Sequence, residues 1–192
     1  MLGPYRLMEF RSSGASGDVY LAWDTRFNQR VHVTIVGPLA RGLDDDGALY
    51  RAFVNAMRSL SSLRHPAVLA PTDFSSPASD EAWYASDLPD GKSFGQLLRT
   101  MRRVPWRLVA MLMHEVAAAL AFVHGRQLCH GQLTPDNVLI DRTGRVQVTD
   151  LAVVSRVMLE QPGHAQLDLA DLYDRLAYQP PEAQQRRPLD PE

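Results

Sequence analysis

The sequence predicts an α+β fold, in which an antiparallel β-sheet with one helix precedes a mainly helical part. Two β-rich runs, residues 19–23 and 31–36, flank a polar stretch that is typical of a hairpin turn. Further along, residues 108–123 repeat apolar side chains at helical spacing. Strand patterns in the first third and a long helical pattern in the second half together indicate this class.

The elements of the first part follow one another as short local patterns. A first strand is predicted over residues 5–11, and a loop of small residues at 12–17 separates it from the hairpin. Three aspartates at 44–46 favour the start of a helix, because acidic side chains stabilise its positive N-terminal end. Its apolar residues fall three and four apart, at Leu49, Phe53, Met57, Leu60 and Leu63. Two more strands are predicted around 68–74 and 82–85.

A linker that contains Pro89 and Gly91 divides the chain. We therefore expect one unit at residues 1–88 and a second unit at residues 89–192.

A long helix and two short strands are predicted in the second unit. Pro105 suits the first turn of the helix, and Gly125 suits its end. The predicted buried face consists of Leu108, Leu112, Val116, Leu120 and Val123. The strands are expected at residues 138–140 and 146–148. We also expect Trp83 and Trp106 to pack in the interior rather than to form a ligand cage.

Composition limits the kinds of function. A net charge of −2 gives no reason to expect binding to nucleic acid or to a membrane surface. Cys129 is the only cysteine, which excludes an internal disulfide and favours a reducing compartment. Residues 1–10 lack the pattern of a signal peptide. The stretch 108–123 contains His114 and Glu115, and we expect it to be too short and too polar to cross a bilayer. These observations predict a cytoplasmic protein or the cytoplasmic part of a membrane-associated one.

Several short motifs occur in an informative order. Residues 130–137 read His-Gly-Gln-Leu-Thr-Pro-Asp-Asn, and Asp150 follows at the start of Asp-Leu-Ala. The other motifs are Val19-Tyr20-Leu21-Ala22, Leu63-Arg64-His65-Pro66, Asp90-Gly91 and Pro181-Glu182. Together they resemble a bacterial Ser/Thr protein kinase, in which H-R-D-x-x-x-x-N precedes D-F-G and A-P-E. The resemblance implies a kinase-like N-lobe with an antiparallel sheet and one αC helix, and a partial, mainly helical C-lobe with αD, αE and a short activation segment.

The sequence departs from this family at the positions that carry its chemistry. By the resemblance, Thr34 replaces the β3 lysine and Ala56 replaces its αC glutamate partner. In the catalytic loop, Gly131 replaces an arginine, Gln132 replaces the catalytic aspartate, and Thr134 replaces a lysine. A neutral amide cannot accept a proton as a carboxylate does. The resemblance therefore implies a degenerate kinase that is not an enzyme.

The nucleotide side is also changed. The positions that remain are Gly14 and Gly17 of the Gly-rich loop and the Mg²⁺ ligands Asn137 and Asp150, and we interpret all four as vestigial. By the resemblance, His32 intrudes on the adenine site, and Pro89 lacks the N–H that would bind adenine. No cofactor is expected, although weak binding of ATP with Mg²⁺ is an alternative. His130 is interpreted as a core histidine that holds the loop.

These residues lead to one main functional hypothesis and two others. We expect an inactive pseudokinase that binds proteins, as a scaffold or regulator in bacterial signalling. The expected partner is another kinase, a phosphopeptide-reading domain or a second copy of the chain, with no nucleic acid and no direct insertion into a membrane. A nucleotide-binding switch without phosphotransfer is the alternative, and an unorthodox transferase is the third hypothesis. Since the chain ends ten residues after Glu182, we expect a truncated C-lobe whose long helix leaves its apolar face partly uncovered.

Overall fold

The computed structural model describes residues 1–14, 17–36, 48–76, 79, 81–89, 91–101, 103–131, 133–151 and 177–178. The strands in chain order are β1 (Tyr5–Gly14), β2 (Gly17–Asp24), β3 (Gln29–Ile35), β4 (Pro71–Phe74), β5 (Trp83–Asp87), β6 (Lys92–Ser93), β7 (Val138–Ile140) and β8 (Val146–Val148). The helices are α1 (Ala48–Ser61), α2 (Phe94–Thr100) and α3 (Trp106–His124), and a 3-10 turn spans Pro135–Asn137.

Five strands of the first compact unit, which holds residues 1–62 and 70–88, form one antiparallel sheet. Its strand order is β1-β2-β3-β5-β4. β2 and β3 form the predicted hairpin, with Asp24 opposite Gln29. β1 continues past its predicted end, because its pairing with β2 runs on until Gly14 lies opposite Gly17.

Apolar side chains pack on this sheet in the pattern that the sequence predicts. Tyr5, Ala22, Val31, Val33, Trp83 and Ala85 form one buried cluster. Helix α1 packs against β4 and buries Phe53, Met57 and Leu60. The predicted amphipathic helix is thereby confirmed, while its predicted start at residues 44–46 and the side chain of Leu49 lie outside the described residues.

A polar network joins the two edge strands of the five-stranded sheet. The Tyr5 hydroxyl on β1 donates to Asp73 on β4 at 2.9 Å. Arg26 pairs with Asp24 at 3.0 Å and with Asp73 at 2.8 Å, and it also donates to the Tyr5 hydroxyl. Because β1 and β4 are opposite edges, these bonds show that the sheet curls until its edges approach each other.

Arg26 is the centre of this network, and Asp24 is its buried member, with 2% of its surface exposed. Hydrogen bonds from Arg26 hold the pKa of Asp24 below its usual value. Burial raises the pKa of Tyr5, and the hydrogen bond to Asp73 adds to this effect. Asp24 is therefore a buried charge that depends on its partner for stability.

The second compact unit, which holds residues 63–69 and 89–152, contains a three-stranded sheet and the two later helices. The sheet has the order β6-β7-β8, and β7 and β8 have the predicted bounds. Together the two units confirm the predicted α+β class. The predicted division of the chain between residues 88 and 89 stays a prediction.

Helix α3 begins directly after Pro105, and the N–H of Gly125 donates to Ala121 at its end. Its buried residues are Leu112, Val116, Ala119 and Val123. Most of the predicted buried face is thus confirmed, but Leu108 is exposed. The prediction that Trp106 packs in the interior is wrong, since 73% of its surface is exposed. Trp106 precedes Leu112 by six residues, which places it on another side of the helix.

A second row of apolar residues on α3 is exposed. We define the second face of α3 by its exposed residues at helical spacing, Trp106, Ala110, Met113, Ala117 and Ala121. The predicted buried face is partly uncovered, as expected, but only at its N-terminal end: Leu108 is exposed, whereas Leu112, Val116 and Val123 are covered.

Helix α3 is also long and apolar enough to cross a membrane, judged by length and composition alone. This measure contradicts the prediction that the stretch is too short and too polar, because α3 has 19 residues, of which only Arg107 and Glu115 are charged. A core helix of a soluble protein passes the same test, so the finding is weak evidence for a membrane span.

We predict that Asp24→Asn destabilises the first unit by about 3 kcal/mol, because it removes a buried charge that Arg26 pairs. The midpoint of urea denaturation, measured by circular dichroism, checks this value. Asp18→Asn is the matched control on the same strand, where the Ser13 hydroxyl donates to an exposed carboxylate. Equal effects of the two substitutions would contradict the contribution of the buried Asp24–Arg26 pair.

Candidate functional site

Strand β8 joins two other segments of the second unit. Its last residue, Val148, is fully buried and pairs with Val138 of β7. On its other side, the N–H of Val148 donates to Ala67 at 2.9 Å, and the N–H of Leu69 donates to Val148 at 2.9 Å. The segment after the predicted Leu63-Arg64-His65-Pro66 motif is thus bonded directly to the strand that leads to Asp150.

The candidate metal ligands Asn137 and Asp150 are brought together by one hydrogen bond. The N–H of Thr149 donates to the carbonyl of Asn137 at 2.9 Å, which places Asp150 one residue beyond that contact. Asn137 ends the 3-10 turn, where its own N–H donates to Thr134 at 3.1 Å. Asp150 has φ 53°, in the left-handed region that side chains other than glycine adopt at a cost. The backbone therefore presents these two residues from fixed positions.

His130 lies beneath this contact, with 3% of its surface exposed. Burial lowers its pKa to about 4, although hydrogen bonds to its own backbone and to the backbone of Thr149 oppose the shift. The histidine is therefore neutral near pH 7. Its burial and its bond to Thr149 confirm the interpretation of a core histidine that holds the loop.

Asp136 forms a network that the sequence analysis missed. It accepts from the Ser93 hydroxyl at 2.8 Å and pairs with Arg99 at 2.9 Å. Arg99 holds the pKa of Asp136 below its usual value, and Ser93 adds to this effect. A Cβ on Gly95 would lie 2.3 Å from the Asp136 carboxylate, so a larger residue there would displace this carboxylate from its present position.

The local part of this network had a sequence signal. Ser93 accepts from the N–H of Gln96, and the Gln96 side chain accepts from the N–H of Ser93, which is a capping box. The Ser-x-x-Gln spacing at the start of α2 predicts this cap. The contact with Asp136 spans 43 residues and has no local signal.

Gly17 has a structural reason to be glycine. Its φ is 123°, and a Cβ would lie 2.0 Å from the carbonyl oxygen of Ile35. β2 therefore approaches β3 closely at this point. The backbone of Gly14 lies opposite Gly17, while the loop tip at residues 15–16 lies outside the described residues.

Thr34 and His32 lie on the same face of β3, because side chains alternate along a strand. Thr34 pairs with Val19 and Tyr84 and has 4% of its surface exposed. Burial lowers the pKa of His32, and the positive charge of Arg11 adds to this. The predicted place of His32 in an adenine site stays a prediction.

The structure gives fewer contacts for the remaining predicted site positions. Ala56 is half-buried on α1, and Gly131 has φ 77°. Thr134 accepts the backbone bond from Asn137. Pro89 has no backbone N–H whatever its surroundings. Gln132, Asp90 and the Pro181-Glu182 pair lie outside the described residues.

The chemistry of the second unit suits a hard cation. Carboxylate and amide oxygens are the donors that Mg²⁺ prefers, and Asp150 and Asn137 would supply one of each. Mg²⁺ also takes ligands from bound phosphate. Among the described residues, no group of three His, Cys, Asp or Glu side chains is arranged to hold a metal alone. The pair is thus suited to a metal that arrives with phosphate.

Comparison with known proteins agrees with this arrangement of motifs. A family model described as "Protein kinase domain" matches residues 6–192. The chain belongs to the protein kinase family.

Its similar relatives are bacterial kinases. The chain is 26% identical to the serine/threonine-protein kinase PknA of Mycobacterium tuberculosis over 159 residues, which cover 81% of this chain and 36% of PknA. It is 25% identical to PrkC of Bacillus subtilis over 154 residues, which cover 80% of this chain and 23% of PrkC. The chain thus spans about a third or less of the length of these relatives.

These relatives correct one prediction. The substitutions at Thr34, Ala56 and Gln132 predicted that the chain is not an enzyme, whereas the relatives are named Ser/Thr protein kinases and point to an enzyme. The prediction rested only on the charged groups that are missing at these three positions. Their absence does not show which other groups of the kinase fold act in their place.

We predict that stability falls as the pH is lowered from about 6.5 to about 4, because His130 binds a proton in the unfolded chain before it does so when folded. This histidine contributes about 3 kcal/mol across that window. Urea unfolding at several pH values measures the slope. His130→Gln should flatten it, whereas His114→Gln, which changes an exposed histidine of α3, should not. An unchanged slope in His130→Gln would rule out this origin.

We also predict that Gly17→Ala lowers stability by more than about 2 kcal/mol, since the new Cβ meets the backbone of Ile35. Gly144→Ala is the matched control. Gly144 also has a positive φ, 84°, but a Cβ there meets nothing within 4 Å. The difference between the two melting temperatures isolates the close approach of β2 to β3, and no difference would refute it.

Proposed function

We propose that this chain is a protein-binding, regulatory module in bacterial Ser/Thr kinase signalling. The observation that carries the proposal is the second face of α3. A helix that is apolar on both sides is normally buried on both sides, and the described residues leave this face exposed. Exposed apolar faces of this kind mark protein interaction sites.

The family and the relatives of the chain indicate which kind of protein is the proposed partner. Proteins named Ser/Thr protein kinases in several bacteria share the domain, so a kinase or a second copy of the chain is a natural partner. Because Thr34 and Ala56 carry no charge that could bind a phosphate, we rank protein binding above nucleotide binding. We also propose that the chain is cytoplasmic and that its function needs no cofactor.

A second candidate function is the binding of ATP with Mg²⁺ for protein phosphorylation, which is the reaction that the names of the relatives describe. The specific observation in its favour is the pair Asn137 and Asp150. The Thr149 hydrogen bond joins their segments, and Asp150 keeps a costly left-handed backbone. Such conformations concentrate at functional sites.

The first proposal predicts a complex with a bacterial kinase domain. The chain is titrated into the kinase domains of PknA and PrkC, and the heat of binding is measured. We expect a dissociation constant of about 10 μM or lower and a change of at least about two-fold in the rate of substrate phosphorylation. Absence of heat and an unchanged rate with both domains would refute the proposal.

The second candidate predicts a thermal shift. Addition of about 5 mM ATP with Mg²⁺ should raise the melting temperature, because a ligand that binds only the folded state stabilises it. Asp150→Ala should remove the shift, and Glu115→Ala on exposed α3 should retain it. Labelled phosphate transfer to protein, lost in Asp150→Ala, would extend the result to catalysis. No shift at this concentration would eliminate the candidate.

A further inference from the structure

The carboxylate of Asp136 connects helix α2 to the 3-10 turn that ends at Asn137. One of its oxygens accepts from the Ser93 hydroxyl at 2.8 Å and from Arg99 at 2.9 Å, and the other accepts from Arg99 at 3.2 Å. Arg99 therefore holds the carboxylate with both of its terminal nitrogens, which fixes the orientation of the pair as well as its distance. The turn is thus bonded to α2 in one defined arrangement.

The start of α2 accommodates this carboxylate closely. Ser93 is buried, and its hydroxyl accepts from the N–H of Gln96 at 3.0 Å while it donates to Asp136. The same hydroxyl therefore caps the helix and orients the carboxylate. A Cβ on Gly95 would lie 2.3 Å from Asp136, so the lack of a side chain at this position lets the helix and the turn approach each other.

The same turn is bonded to the segment that leads to Asp150. The carbonyl of Asn137 accepts from the N–H of Thr149 at 2.9 Å, and the N–H of Asn137 donates to Thr134 at 3.1 Å. Asp136 precedes Asn137 in this three-residue turn. Because one rigid peptide plane joins these two residues, a displacement of Asp136 also displaces Asn137.

We propose that Asp136 is a positioning residue of the candidate nucleotide site, through which α2 sets the place and orientation of Asn137. The inference rests on the second candidate function, the binding of ATP with Mg²⁺, and adds to it a residue outside the pair Asn137 and Asp150. Mg²⁺ requires near-ideal octahedral geometry with short bonds, so a displaced amide oxygen is a poorer ligand. A partner that orients a metal ligand typically changes metal affinity about 10- to 100-fold.

Two direct roles fit Asp136 less well. As a metal ligand, the carboxylate would have to release Arg99, whose positive charge would also repel the ion. As a base in place of Gln132, it would need a proton affinity matched to the working pH, whereas Arg99 holds the pKa of Asp136 below its usual value. The remaining alternative is a contribution to stability alone, which the measurements below separate from positioning.

The first measurement follows the hydrogen bond that joins Asn137 to Thr149. Native-state exchange of the Thr149 N–H is recorded by nuclear magnetic resonance in the parent chain and in the variants Arg99→Met and Asp136→Asn. We expect this N–H to exchange at least about five-fold faster in both variants, because the turn loses bonds to α2. The N–H of Val148 takes part in another hydrogen bond of β8 and should keep its rate.

Arg145→Met is the matched control. Arg145 is an exposed arginine that pairs with Asp141 at 2.9 Å, as Arg99 pairs with Asp136. Its substitution removes an ion pair of the same kind from the same unit, and the Thr149 rate should stay that of the parent. Arg99→Lys keeps the charge with one nitrogen instead of two, so its rate should lie between those of the parent and Arg99→Met. Thermal unfolding shows that each variant is folded.

The second measurement uses the strict geometry of Mg²⁺. The affinity of each chain for ATP is measured by calorimetry with Mg²⁺ and, in parallel, with Ca²⁺, which tolerates flexible coordination. We expect Arg99→Met and Asp136→Asn each to weaken the Mg²⁺ complex at least about ten-fold and the Ca²⁺ complex less than about three-fold. The two variants change the net charge in opposite directions, so a loss that they share does not arise from charge.

The outcomes separate this inference from the function on which it rests. Unchanged exchange at Thr149 in both variants, or equal acceleration at Thr149 and Val148, would overturn the positioning role even if the parent binds ATP. Equal weakening of the Mg²⁺ and Ca²⁺ complexes, or opposite effects of the two variants, would also overturn it. Absence of ATP binding by the parent would remove the second candidate function, and the exchange at Thr149 would then decide alone whether Asp136 positions Asn137.

Discussion

The backbone pairing of β8 is the constraint on which the second unit depends. Val148 pairs with Val138 of β7 on one side and is hydrogen-bonded to Ala67 and Leu69 on the other, so a three-residue strand joins two other segments of the unit. The next residue, Thr149, bonds to Asn137, and buried His130 bonds to Thr149. Backbone atoms make most of these contacts, and their geometry is largely independent of the side chains that vary around them. A kinase-like loop is therefore retained although the residues at Gly131 and Thr134 depart from the family pattern.

The two units are stabilised in different ways. In the first unit, Tyr5 and Arg26 both bond to Asp73, and the Tyr5–Asp73 bond joins the two edges of a curled sheet. Arg26 also pairs with the buried Asp24 carboxylate. In the second unit, neutral backbone bonds and a neutral histidine dominate near β8. A buried charge is costly unless it is paired, whereas a buried neutral histidine is sensitive mainly to acid. The two units are therefore expected to respond differently to charge removal and to pH.

Protein binding and nucleotide binding draw on separate features of the second unit. The second face of α3 is defined by exposed apolar residues, whereas Asn137 and Asp150 are presented by the backbone around β8. Helix α2 connects to the loop through Asp136, which Ser93 and Arg99 hold beside Asn137. Membership of the protein kinase family makes nucleotide chemistry a serious candidate, and the exposed helix face gives protein recognition its own physical basis.

Periodicity and motif order in the sequence determined the α+β class, the bounds of β7 and β8, most of the buried face of α3 and the kinase family. Local signals suffice for these features, because strand and helix periods follow from the backbone itself. The tertiary structure alone decided which side of α3 is exposed, that Asp136 binds Ser93 and Arg99, and that Tyr5 reaches Asp73 across the sheet. Those contacts join residues 37 to 68 positions apart, and only the packing of complete elements brings such residues together. Trp106 shows the same limit, since an apolar side chain is buried only where another element covers it.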